Sequence, residues 1–81
     1  MVTGRIKFNT TNDVVDFVNA VSKYKFDVDV YKGAMMLDGK SLQGLFTIGL
    51  SQELECVIHT SLADAHDIIS DISKFALDDF K

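Results

Sequence analysis

Stretches in which apolar and polar residues alternate, set between stretches where apolar residues recur at threes and fours, constrain this chain more than any other feature. A period of two belongs to a half-buried strand and a period near 3.6 to an amphipathic helix, so each switch of period marks a new element. Arg5, Ile6, Lys7 and Phe8 alternate, which predicts a strand from Gly4 to Phe8 with Ile6 and Phe8 facing inward. Val14, Phe17, Val18 and Val21 then share one helical face behind the polar cluster Thr10 to Asp13, predicting a helix from Asn12 to Tyr24. Thr10 and Asp13 stand at the spacing of a loose capping box.

Phe26, Val28 and Val30 alternate with Asp27, Asp29 and Tyr31, and Lys32-Gly33 supplies a turn into the apolar stretch Ala34 to Leu37, the pattern of a hairpin. Leu42, Leu45 and Ile48 fall three apart in a short helix closed by Gly49. Leu54, Cys56 and Ile58 mark one face of a last strand running to Thr60. Ser61 and Asp64 then open a final helix whose buried stripe is Ala65, Ile68, Ile69, Ile72 and Ala76. The order β-α-β-β-α-β-α predicts an α+β, two-layer open-faced β-sandwich, a four-stranded antiparallel sheet covered on one face by three helices.

Eighty-one residues leave room for one domain, spanning residues 1–81, and for no self-contained multistep active site, so the chain is not expected to be an enzyme. Eight basic against twelve acidic residues give a net charge of -4, which disfavours nucleic acid. No apolar run approaches the roughly 18 residues of a membrane span and no signal peptide precedes the first strand, so the expected address is cytoplasmic, away from membranes. The single Cys56 cannot form an intramolecular disulfide.

The element order, Phe17-Val18, the Tyr31-Lys32-Gly33 hairpin and above all the segment from Lys40-Ser41-Leu42-Gln43-Gly44 to Leu50 resemble the HPr family, the histidine phosphocarriers of the bacterial sugar phosphotransferase system. The resemblance extends over nearly the whole chain, with an extra residue before Ser41. It implies that the family's reactive histidine falls on Thr10, its arginine on Asn12 and its proline on Asp13, so all three are replaced. An imidazole is a nucleophile near neutral pH and yields a labile adduct, whereas a threonine hydroxyl needs an added base and forms a stable ester. The helix N-terminus still offers N–H groups to an anion, but Asp13 opposes one.

By the same resemblance Ser41 corresponds to a regulatory phosphorylation site read by a serine kinase, and Lys40, Leu42, Leu45 and Phe46 frame a partner-docking patch. The residues alone read Ser41 as a helix cap and the three apolar ones as core. The resemblance implies a regulatory or partner-binding protein without histidine phosphoryl transfer, its partners being a serine kinase, phosphotransferase enzymes or a transcription regulator. Two alternatives stand beside it: a phosphocarrier using His59 or His66, and an unrelated ferredoxin-like ligand-binding domain with the same element order.

Other motifs carry less. Gly39-Lys40-Ser41 lacks the first glycine of a phosphate loop, which would fall at Ala34. Alternation sends Cys56 and His59 to opposite strand faces, and His66 lies on another element, so neither a metal set nor a cysteine–histidine pair forms, and no cofactor is expected. Asp27 and Asp29, and likewise Asp64, Asp67 and Asp71, read as solvated faces, and Met35-Met36 as strand packing.

Overall fold

The computed structural model describes residues 1–81. The alternating segments form four strands, β1 (Val2–Ile6), β2 (Val28–Lys32), β3 (Met35–Asp38) and β4 (Leu54–Ile58). They pair in the order β1-β4-β2-β3, every neighbour antiparallel. A ferredoxin-like sheet inserts its third strand between the first two. Here β4 takes that place and β3 lies at the edge, which excludes that alternative.

The register brings Val2, Gly4 and Ile6 beside Ile58, Cys56 and Leu54, and Val28 and Val30 beside Ile58 and Cys56. Because side chains alternate along a strand, this fixes one apolar face, and three helices cover it: α1 (Thr11–Val21), α2 (Leu42–Phe46) and α3 (His66–Asp71). Val14, Phe17, Val18 and Val21 of α1 are buried there with Leu45, Ile68 and Ile72. Phe8, Phe17 and Phe75 meet edge to face with centroids 5.1 to 5.9 Å apart, an aromatic knot beneath the start of α1. No helix is long and apolar enough to cross a membrane.

Boundaries differ from the sequence pattern where tertiary contacts intervene. The first strand lies two residues earlier than expected, because Leu54 to Ile58 pair with Val2 to Ile6. The first helix stops at Val21 rather than Tyr24. The Tyr24 ring leaves the helix to stack on Phe26 at 6.4 Å, and its hydroxyl donates to Asp71 at 2.5 Å. The expected long last helix is broken up. Ser61 Oγ does accept from Asp64 N at 3.2 Å, but α3 begins only at His66 and tightens into a 3-10 turn at Ser73–Phe75, where Lys7 N–H donates to Phe75 O and Phe75 enters the aromatic knot. Met35 and Met36 are a correction too. They are not packed but about half exposed: Met36, across from Tyr31, turns to the sheet face that carries no helix, and Met35 stands at the hairpin end of the edge strand.

The other sheet edge is closed by the C-terminal segment. Leu77 N–H donates to Arg5 O, and Thr3 and Lys81 exchange both backbone bonds at 2.9 Å. Asp78 takes the Arg5 backbone N–H on one carboxylate oxygen and the guanidinium on the other, both at 2.9 Å. Phe80 fastens this strap over Gly4, whose missing Cβ would stand 2.7 Å from the ring.

Candidate functional site

The first turn of α1 is a closed capping box. Thr10, extended at φ -134°, accepts the Asp13 N–H on its hydroxyl at 3.1 Å. The Asp13 carboxylate reaches back to the Asn9 N–H at 2.9 Å and the Thr10 N–H at 3.3 Å. The sequence left these donors free for an anion. Of the first helical donors the cap takes only the Asp13 N–H, and the Asp13 carboxylate, held by the two N–H groups just before the helix, sets a fixed negative charge beside those of Thr11 and Asn12. Thr10 and Asn12 are exposed beside it.

Neither imidazole can serve this mouth. β1 runs from Val2 to Ile6 and delivers the chain to α1 at its Ile6 end, where its partner is Leu54; His59 follows Ile58 at the opposite end, beside Val2. There His59 Nε2 lies 2.6 Å from Asp29 Oδ2, and its backbone N–H donates to Asp27 O. His66 opens α3, whose far end, through Phe75, is the one that meets Lys7 near the mouth. Cys56 lies on the helix-covered face, fully buried, and burial with the nearby Asp29 charge pushes its thiol up to about 12.

The second region is the start of α2. Ser41 is its N-cap, extended at φ -99°, and its hydroxyl accepts the Gly44 N–H at 3.1 Å. A Cβ at Gly44 would stand 3.0 Å from that oxygen, so glycine at this position lets the cap close. Lys40 donates its backbone N–H to Asp38 Oδ1 at 2.9 Å and its ammonium to Tyr24 O at 2.6 Å, tying the cap to the end of α1. Leu42 and Phe46 are exposed at 39% and 44%, while Leu45 is 1% exposed and belongs to the core, so a docking patch here cannot use its side chain.

One residue that the sequence did not single out joins this surface. Leu50 is 39% exposed, and the next residue, Ser51, at φ 62°, donates its N–H to Phe8 O at 2.6 Å. Lys32 and Gln52 both donate to Ile48 O and hold the end of α2 in place. The loop after α2 is thereby tied to the chain that leads into α1, two residues before Thr10. Only the contact between Ser51 and Phe8 reveals this, and periodicity carries no trace of it.

Residues 14–77 match a protein-family model described as the PTS HPr component phosphorylation site. The match opens at Val14, just past Thr10, Asn12 and Asp13. No curated protein sequence matches the chain. Among solved structures it is similar to HPr-C-His from Thermoanaerobacter tengcongensis, with 22% identity over 91% of this chain and 88% of that one and a TM-score of 0.71. It is also similar to the phosphocarrier protein HPr from Bacillus anthracis str. Ames, with 15% identity over 91% and 94% and a TM-score of 0.70.

Proposed function

The chain belongs to the HPr family, and from that premise we propose that it is a regulatory or partner-binding member, a single cytoplasmic domain of residues 1–81 that does not carry phosphoryl groups on histidine. The capping box carries this reading. A phosphocarrier needs a nucleophile with an accessible lone pair and an electropositive cradle for the phosphate. At this mouth the side chain in the nucleophile's place is a threonine hydroxyl engaged as a cap, and the Asp13 carboxylate puts a negative charge beside the cradle where a phosphocarrier needs a positive one. That carboxylate accepts two backbone N–H groups and is poorly placed to act as base for Thr10.

Support for partner binding comes from the exposed apolar side chains Leu42, Phe46 and Leu50 beside Lys40. Their occupants would be proteins: phosphotransferase enzymes, a serine kinase or a transcription regulator. Ser41 is the regulatory phosphorylation site in this reading. A phosphoryl group on its oxygen would replace the cap to Gly44 and lie next to Lys40, whose ammonium could leave Tyr24 O for it.

Incubation with phosphoenolpyruvate and the general phosphotransferase enzyme is expected to leave the chain without acid-labile label. A label lost on substituting His59 or His66 would overturn the proposal. Mass spectrometry after treatment with the family's serine kinase is expected to find one phosphate, on Ser41, and its absence would remove that assignment.

A further inference from the structure

On the sheet face that no helix covers, a tyrosine gives its one donor to sulfur. The register sets Tyr31 between Glu55 on β4 and Met36 on β3, all three on that face because side chains alternate along each strand. The Tyr31 hydroxyl donates to the Met36 thioether at 3.3 Å, although the Glu55 carboxylate is by nature a far stronger acceptor. Met36 is 57% exposed, so an oxidant in solution reaches its sulfur without opening the core.

Oxidation of a packed methionine puts an unpartnered polar oxygen among apolar groups and disrupts them. The surroundings of Met36 are the reverse of that. Solvent lies on one side and a hydroxyl donor already stands on the other. A sulfoxide oxygen accepts a hydrogen bond much better than a thioether sulfur, so the weak contact from Tyr31 would become an ordinary hydrogen bond.

We propose that Met36 is a site of reversible oxidation by a hydroperoxide, and that the Tyr31 hydroxyl holds the resulting sulfoxide across the β2–β3 hairpin. A sulfur lone pair attacks one peroxide oxygen, the O–O bond breaks, and the departing oxyanion takes up the proton of the transferred oxygen. Sulfur loses two electrons and the peroxide gains them. In the reverse step a dithiol becomes a disulfide and the sulfoxide oxygen leaves as water. The phenol occupies one sulfur lone pair and leaves the other free to react; rotation about the terminal side-chain bonds then brings the new oxygen to the hydroxyl. Met35, 48% exposed at the hairpin end, has no hydroxyl on its sulfur, so its oxidation adds polarity without adding a contact. Oxidation at Met36 therefore tightens the hairpin, and oxidation at Met35 does not.

The full chain is treated with hydrogen peroxide and each methionine is followed by peptide mapping. Met36 should gain one oxygen on the time scale of Met1, which is 77% exposed, and a peptide methionine sulfoxide reductase with dithiothreitol should remove it. Urea titration reads the consequence. In a Met35→Leu chain, oxidation should lower the unfolding equilibrium constant by about twofold or more, whereas with Tyr31→Phe added it should leave that constant unchanged or raise it. Oxidation of Met1 is common to both chains and cancels in the comparison. A Met36 that stays reduced while Met1 is oxidised overturns the proposal, as does a sulfoxide that the reductase leaves in place. So does oxidation that destabilises the Met35→Leu chain, or that acts alike with and without the Tyr31 hydroxyl.

Discussion

Rebuilding a histidine carrier at the mouth of α1 should fail as long as Asp13 remains. Thr10→His with Asn12→Arg restores the two family side chains that the resemblance places there, yet leaves the carboxylate bound to the Asn9 and Thr10 N–H groups. Asp13 Oδ2 lies 3.3 Å from the Thr10 nitrogen, so a phosphoryl group seated on that N–H would hold its charge within about 5 Å of the carboxylate. At an effective dielectric near 20 each pair of unit charges at that range costs about 3 kcal/mol, and salt removes roughly half. For a phosphoryl group with two negative charges the penalty is then about 3 kcal/mol, close to a hundredfold in rate or occupancy. Adding Asp13→Asn keeps an oxygen acceptor for both N–H groups and deletes only the charge. Labelling from radioactive phosphoenolpyruvate through the general phosphotransferase enzyme should therefore be about a hundredfold faster in the triple variant than in the double. Equal rates in the two would refute the electrostatic account of the lost site.

Gly4→Ala should destabilise the fold by about 1–2 kcal/mol, because its Cβ would meet the Phe80 ring at 2.7 Å and overpacking outweighs the entropic gain of replacing glycine. Urea titration in a Phe80→Ala background should find the same change neutral or stabilising, and an equal penalty in both backgrounds would contradict the contact. Ser41→Ala removes the cap to Gly44 and should cost about 1 kcal/mol by the same assay, whereas Ser41→Asp keeps an acceptor and should be near neutral. Stability should fall with pH at both extremes. The Arg5 backbone N–H and guanidinium hold the Asp78 carboxyl below its ordinary range, so its contribution is intact above about pH 4 and is lost as pH drops through the folded value; Asp78→Asn should flatten that acid limb. The hydrogen bond to Asp71 raises the Tyr24 phenol to about 12, so its contribution is complete below about pH 10 and is lost as pH climbs toward the raised value; Tyr24→Phe should flatten the alkaline limb.

Most of the fold was legible because the period of the apolar residues is the period of the elements. Val30 in β2 and Cys56 in β4 fall on the covered face that alternation assigned to them, and Phe17 on the buried side of α1 that helical spacing assigned to it. The misread parts are those set by contacts distant in sequence. Tyr24 leaves its helix for Phe26 and Asp71, the strap from Leu77 to Lys81 is held by β1 at the other end of the chain, and Met35 is exposed because β3 falls at an edge, Met36 because it turns to the face no helix covers. At the mouth of α1 the spacing of Thr10 and Asp13 was sufficient to anticipate the capping box. It could not show that the carboxylate would claim the Asn9 amide as well. At α2, spacing alone could not separate Leu45, which is core, from Leu42 and Phe46 on either side, because a helix of five residues has too few turns to define a buried face.

The thiol of Cys56 gives this molecule an internal gauge of its own opening. Burial both removes the thiol from solvent and pushes it up to about 12, so the reactive thiolate is scarce in the closed protein. A neutral alkylating reagent therefore marks only molecules whose central strand has come away from the helices, and the speed of modification counts them. Any mutation or ligand that tightens the helical layer should register as slower alkylation, with no dye, tag or second cysteine to confuse the reading.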